Sequence, residues 1–169
     1  IDAGIDSFKI EGRMKTALYV ATVARTYRKA IDDYLKDPKL YEANMEWYKE
    51  EIGKCTYREF TTGFYFVKPG SDAQIYNSNT YVKNYTYLGT VEEADGKGRC
   101  RIEQKNKFSV GETIEIMKPD GRNLEVVVKS ICDEDGNEQE SAPHPKQILW
   151  VDLGADVDKY DILRKKEDN

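Results

Sequence analysis

Histidine is almost missing from this chain. His144 is the sole copy in 169 residues, and it lies between Pro143 and Pro145 shortly after Ser141. A Ser–His–Asp site would have to use it, yet no GxSxG elbow, HExxH pair or P-loop occurs anywhere. The plain expectation for His144 is a rigid, proline-flanked loop at a strand entrance; surface recognition is the functional alternative. Cysteine is scarce as well. Cys55, Cys100 and Cys132 are too few and too scattered for a disulfide framework or a CxxC metal site, which fits a reducing, cytoplasmic setting. Cys100 and Cys132 fall within predicted strands, where a buried thiol is the usual case. Cys55 lies in a connection and is expected to be partly exposed. Purely apolar runs are only a few residues long, so no membrane-spanning helix is expected. The first residues lack the basic and apolar regions of a signal peptide. A basic excess is missing too: 26 Lys and Arg stand against 31 Asp and Glu, a net charge of −5. That excludes a protein clinging to nucleic acid by bulk charge alone, while a local basic face remains open. Leu, Ile, Val and Phe make up only 36 residues, and 12 tyrosines and 2 tryptophans supply the remaining apolar mass.

What is present falls into two textures. Residues 5–10 alternate apolar and polar as a short strand does. From Met14 the period becomes helical. Ala17, Val20, Ala21, Ala24, Tyr27, Ile31, Tyr34 and Leu35 form one stripe, opposite Arg25, Arg28, Lys29, Asp32 and Asp33, which predicts an amphipathic helix over roughly 14–35 with the stripe buried. Asp37-Pro38 is a helix-start signal, and Leu40, Tyr41, Met45, Tyr48 and Ile52 continue a second helix that stops at Gly53. After Phe64 helical spacing gives way to short β-rich runs between turns: Tyr85–Val91, Arg99–Gln104, Glu112–Met117, Leu124–Ile131, Ile148–Leu153 and Tyr160–Leu163. Six or more strands at this spacing predict a small barrel or sandwich. The expected domains are a strand–helix–helix segment, 1–56, and a β-barrel domain, 57–169. The chain opens at Ile1 on what reads as a strand-to-helix unit, and is expected to be the C-terminal piece of a longer protein.

The most site-like stretch is Lys9-Ile10-Glu11-Gly12-Arg13. Three charges and a glycine at the carboxyl end of a strand suit contact with a substrate, phosphate or carboxylate. A Glu–Arg pair that merely fixes the turn is the structural alternative. Aromatic residues cluster in the second part: Phe64, Tyr65 and Phe66, then Tyr76, Tyr81, Tyr85 and Tyr87. Tyrosines on a barrel face can stack bases or grip peptide, although core and rim are the commoner use. Tyr65, Tyr85, Tyr87 and His144 are therefore the candidates for surface recognition. No catalytic or metal-ligating residue is expected within the chain.

These residues carry a family resemblance. Gly4-Ile5-Asp6-Ser7-Phe8-Lys9-Ile10-Glu11-Gly12-Arg13-Met14-Lys15, with Tyr19–Val23 and Tyr27-Arg28, resembles the late barrel segment of peptidase family U32, the collagenase-like peptidases. Phe60-Thr61-Thr62-Gly63-Phe64 resembles the segment leading into that family's C-terminal domain. Tyr87–Val91, Glu103–Phe108 and Ala142–Pro145 resemble that domain itself. The resemblance implies a mainly β fold with an α N-terminal part: a small closed barrel, similar to the second domain of elongation factor Tu, preceded by a strand–helix–helix remnant of a TIM-like barrel. It implies an accessory, substrate-recognising domain of a collagenase-like peptidase, not catalytic by itself. Other members are similar to proteins of tRNA or ribosomal RNA hydroxylation, so an RNA-contacting barrel is the alternative reading. A purely structural or oligomerisation domain is the third. The implied partners are an upstream catalytic domain of the same protein and either a peptide or a structured RNA, with no membrane. An apolar stripe on a segment cut from a barrel also makes self-association of the chain an expectation. No cofactor is expected in this stretch; any iron–sulfur cluster would be held upstream.

Overall fold

The computed structural model describes residues 1–57, 60–71 and 82–167. Tyr76 and Tyr81 lie outside the described residues. The chain divides into two compact units, Ile1–Ile52 and Gly53–Asn169.

The first unit is helical. Helix α1 spans Ala17–Lys36, and the Thr16 side chain caps it by accepting the Tyr19 N–H at 3.3 Å. Asp37 starts α2, Pro38–Ala43, by accepting the Lys39 N–H at 3.0 Å, with proline in the first turn. The second helix expected from the sequence is two: α3 is a separate element, Met45–Ile52. The break falls at Asn44, whose side chain turns back to donate to Asp33 on α1 at 2.9 Å. Residues 5–10 do not form the expected strand. Among the described residues no strand pairs with this segment, and Ile5, Phe8 and Ile10 stay exposed.

The packing of α1 reverses the expectation. Its buried residues are Leu18, Thr22, Val23, Arg25, Thr26 and Asp33, whereas Val20, Tyr27 and Leu35 of the apolar stripe are exposed. The cause lies in what α2 and α3 offer. Arg25 ion-pairs with Glu51, both side chains almost fully buried. Asp33 accepts from Lys29 at 2.9 Å, Asn44 at 2.9 Å and the Tyr48 hydroxyl at 2.5 Å. Burial alone would raise the Asp33 pKa; those three hydrogen bonds outweigh it and hold the carboxyl below its ordinary value. Burial and the bond to Asp33 push Tyr48 up to about 12. Trp47 lies beside Arg25 and Lys29, its ring centroid 5.7 and 5.8 Å from the two cations. The interior of this unit is thus largely a polar network.

The second unit is one antiparallel sheet of eight strands: β1 Tyr85–Ala94, β2 Arg99–Glu103, β3 Thr113–Met117, β4 Asn123–Val127, β5 Ser130–Cys132, β6 Glu138–Gln139, β7 Ile148–Asp152 and β8 Ile162–Lys166. The order is β4-β3-β8-β1-β2-β7-β5-β6. The sheet curls because β4 and β5 are nearly continuous along the chain. The expected strand Leu124–Ile131 changes partner midway: the Val128 N–H bonds to Glu112 on the β3 side at 3.0 Å, and the Lys129 N–H bonds to Asp152 of β7 at 2.8 Å. Chain continuity therefore carries the sheet round its core; among the described residues no ladder joins the end strands β4 and β6. Strand β1 serves two neighbours, β8 with its first half and β2 with its second, and its register shifts twice. The core lies inside the curl: Leu88, Val91, Ile102, Phe108, Ile116, Leu149, Val151 and Leu163 are among its members. Alternate residues of β2 and β7 point into it, as the period of a strand requires. Gly98 sits at φ +101°, where an added Cβ would lie 2.8 Å from the Gly154 Cα, so only glycine fits this crossing.

Candidate functional site

Lys9, Glu11 and Arg13 stand on exposed chain in the first unit. Lys9 pairs with Glu11 at 3.5 Å, and Glu11 accepts the Arg13 backbone N–H at 2.9 Å. The charges are close together, and part of their polarity is spent on the turn itself. Tyr65 is 83% exposed, in edge contact with Phe66 in a run where Phe60, Phe64 and Val67 are exposed too. His144 is exposed in the turn before β7, its carbonyl accepting the Gln147 N–H at 3.2 Å, as the proline-flanked loop implied. Tyr65, Tyr85, Tyr87 and His144 all belong to the second unit.

Tyr85 is occupied. The Arg164 guanidinium lies 5.1 Å from its ring centroid and the Lys54 ammonium 5.7 Å, and both cations pair with Glu115. Arg164 is fully buried, so this cluster ties the connection at Lys54 to the barrel. Cys55 is 1% exposed, which corrects its expected partial exposure: it sits at the point where the connection is already packed into the second unit. Cys100 is buried as expected, and burial pushes its thiol up to about 12, far from nucleophilic.

Tyr87 lines a groove on the barrel with a volume of about 420 Å³, together with Thr90, Glu92, Glu103, Lys105, Lys159 and Tyr160. The Tyr87 hydroxyl is 2.8 Å from the Thr90 Oγ1, and its carbonyl accepts from the Asn106 side chain at 2.6 Å. Lys105 is paired with Glu103, and Glu92 with Arg101. Tyr160 is the unexpected member. It has φ +77°, a region that bulky residues rarely enter, and its side chain is 68% exposed. The turn around it explains how this backbone persists. Asp158 and Asp161 bracket the turn, and the buried Lys118 ammonium binds both, at 2.8 and 2.9 Å. Burial pulls the Lys118 pKa down, but the two carboxylates outweigh it and hold the pKa above its ordinary value. The Tyr160 N–H also bonds to Val91 at 2.9 Å. The strand expected from Tyr160 starts two residues later, at Ile162, and the ring is left at the groove. The turn is closed locally, by the Asp158 N–H donating to the Asp161 carboxylate at 2.8 Å, and from a distance by Lys118, some forty positions away.

A second cavity, about 400 Å³, lies in the first unit between the N-terminal segment and the helices, lined by Phe8, Tyr27, Ile31, Tyr34 and Tyr41 among others. Among the described residues no cluster of three or more His, Cys, Asp or Glu side chains is placed to hold a metal ion. Among the described residues no helix is long and apolar enough to cross a membrane.

Comparison with known proteins bears on both units. The tRNA hydroxylation protein P1 of Bacillus subtilis is 38% identical over 98% of this chain and 39% of its own length. The tRNA hydroxylation protein P of Escherichia coli is 30% identical over 96% of this chain and 35% of its own. A collagenase of Porphyromonas gingivalis is 33% identical over 60% of this chain and 31% of its own. The chain thus spans well under half the length of these relatives. Among solved structures, the C-terminal domain of a Geobacillus thermoleovorans putative U32 peptidase matches 48% of this chain and 92% of its own, with a TM-score of 0.44 and 32% identity. The model of Peptidase family U32 matches residues 1–75, and the model of the Peptidase family U32 C-terminal domain matches residues 83–164. The helical unit and the curled sheet fall to two models of one family, and the chain belongs to peptidase family U32.

Proposed function

We propose that this chain is the C-terminal, RNA-contacting part of a protein acting in tRNA hydroxylation, and that the chemistry is performed by a domain upstream of it. The observation that carries this reading is the likeness to the tRNA hydroxylation proteins of Bacillus subtilis (P1) and Escherichia coli, which runs through both units, over 98% and 96% of the chain, against 60% for the collagenase. The accessory role rests on the residues. The three cysteines are buried and His144 stands in an exposed turn. Lys9, Glu11 and Arg13 are the charged contacts the first unit would offer to a substrate or to the upstream domain, where any iron–sulfur cluster would also be held. A second reading, a peptide-recognising domain of a collagenase-like peptidase, draws support from the exposed aromatic run at Phe60 and Phe64–Phe66.

Titration of the chain with bulk tRNA across a range of salt concentrations separates the two. Saturable binding whose logarithm falls linearly with the logarithm of salt is the expected result, with a slope that counts the phosphates contacted. Absence of tRNA binding at low salt, with binding of gelatin peptides instead, would replace this reading by the second.

A further inference from the structure

The groove beside β1 has features that the accessory role alone does not require. Its rim carries a large aromatic ring, Tyr160, on a strained backbone flanked by Asp158 and Asp161, both of which the buried Lys118 binds. Strain of this kind persists only where the surroundings over-determine it, and it collects at sites that bind. Lys159 stands next to that ring, 5.2 Å from its centroid, and among the described residues it ion-pairs with no carboxylate. The two acids of the groove, Glu92 and Glu103, are each matched by a cation, Arg101 and Lys105. Asp158, next to Lys159 in the chain, is in turn held by Lys118 at 2.8 Å. Tyr87 supplies a second ring in the same groove.

Resting on the RNA reading above, we propose that this groove is a site for an unstacked base of single-stranded RNA, with the base laid on the Tyr160 ring and its phosphate held by Lys159. Tyrosine faces stack any base, and loop nucleotides splayed from a helix are the usual RNA target for such platforms. An extended peptide fits less well. Peptides commonly bind by adding a strand to an open sheet edge, and β1, which the groove borders, is already paired on both sides, with β8 and with β2.

The experiment compares the wild-type chain with Tyr160→Asn, Tyr160→Phe and Lys159→Ala, using oligocytidylate, a fully paired RNA duplex and bulk tRNA as probes. Asparagine tolerates the left-handed backbone, so Tyr160→Asn removes the ring without straining the turn, and circular dichroism verifies the fold. The expected results are oligocytidylate binding weakened about fivefold or more by Tyr160→Asn, retained by Tyr160→Phe, and a duplex that competes poorly. Lys159→Ala should reduce the salt slope by about 0.7, one phosphate contact. If wild type binds tRNA and Tyr160→Asn binds both single-stranded RNA and tRNA equally well, the groove assignment fails and the RNA reading stands. If wild type binds no RNA at low salt, both fall. Gelatin-peptide binding that depends on Tyr160, or a duplex held as tightly as oligocytidylate, also overturns the groove assignment.

Discussion

Lys118 is the residue on which the barrel's charged interior turns. Its side chain is 2% exposed, and three carboxylates face it: Asp161, itself buried, and the exposed Asp156 and Asp158. A charge removed from water is stable only while its partners remain, and removing one member leaves the other uncompensated. Lys118→Met should therefore cost about 3 kcal/mol or more, because Asp161 would be left buried without its cation. Lys118→Met combined with Asp161→Asn should recover part of that loss, since the second change removes the orphaned charge; thermal denaturation of the three variants checks it. Equal stability of wild type and Lys118→Met would show that the cluster contributes nothing. The same ion pairs set a pH dependence. The Lys118 pKa is raised, so its contribution is complete below the usual lysine value and declines as pH rises through the higher folded value. The barrel should accordingly lose stability on the strongly alkaline side, and Lys118→Met should lose less there.

Helix α1 shows how far an element can be read from its pattern. Its stripe of apolar residues was legible, and so were its length and the Asp37-Pro38 start of the next helix. Which face packs inside this unit was not, because periodicity shows that two faces differ without saying what meets each. Arg25 and Asp33 look like solvated charges until Glu51, Asn44 and Tyr48 are brought opposite them. Similarly, residues 5–10 have the alternation of a strand but no partner, and Leu124–Ile131 has the composition of one strand but two partners. The six expected strands all appear, because strand alternation and turn residues are local signals; the groove residues Lys159 and Tyr160 escape notice, because their placement depends on distant Lys118. The reversed face of α1 has a direct consequence for mutation. Val23→Ser, at a 5% exposed position, should cost about 2 kcal/mol by leaving a small cavity and burying a hydroxyl. Leu35→Ser, at a 66% exposed position, should change stability by less than about 0.5 kcal/mol. Chemical denaturation of both variants decides it, and a larger loss from Leu35→Ser would mean that the apolar stripe is the packed face after all.

At the scale of the whole molecule, the two units differ in what holds them together. Every member of the main apolar core, from Leu88 to Leu163, comes from the second unit. That unit also contains its own ion clusters, and its sheet is carried round the core by its own chain. The first unit has 52 residues and buries few apolar side chains, chiefly Leu18, Val23 and Tyr48; the rest of its interior is polar, Thr22 and Thr26 beside the Arg25–Glu51 pair and the Asp33 network. Chains of that size bury only a modest share of their surface, and buried ion pairs add little net stability to offset the entropy of folding. Residues 53–169 expressed alone should therefore unfold in one cooperative transition close to that of the barrel in the full chain. Residues 1–52 alone should show partial helix and a broad, non-cooperative melt. Calorimetry on the two fragments tests both expectations. A fragment 53–169 that fails to fold would mean that the barrel depends on the helical unit, and a sharp transition in 1–52 would mean that its polar network is far more stabilising than paired buried charges ordinarily are.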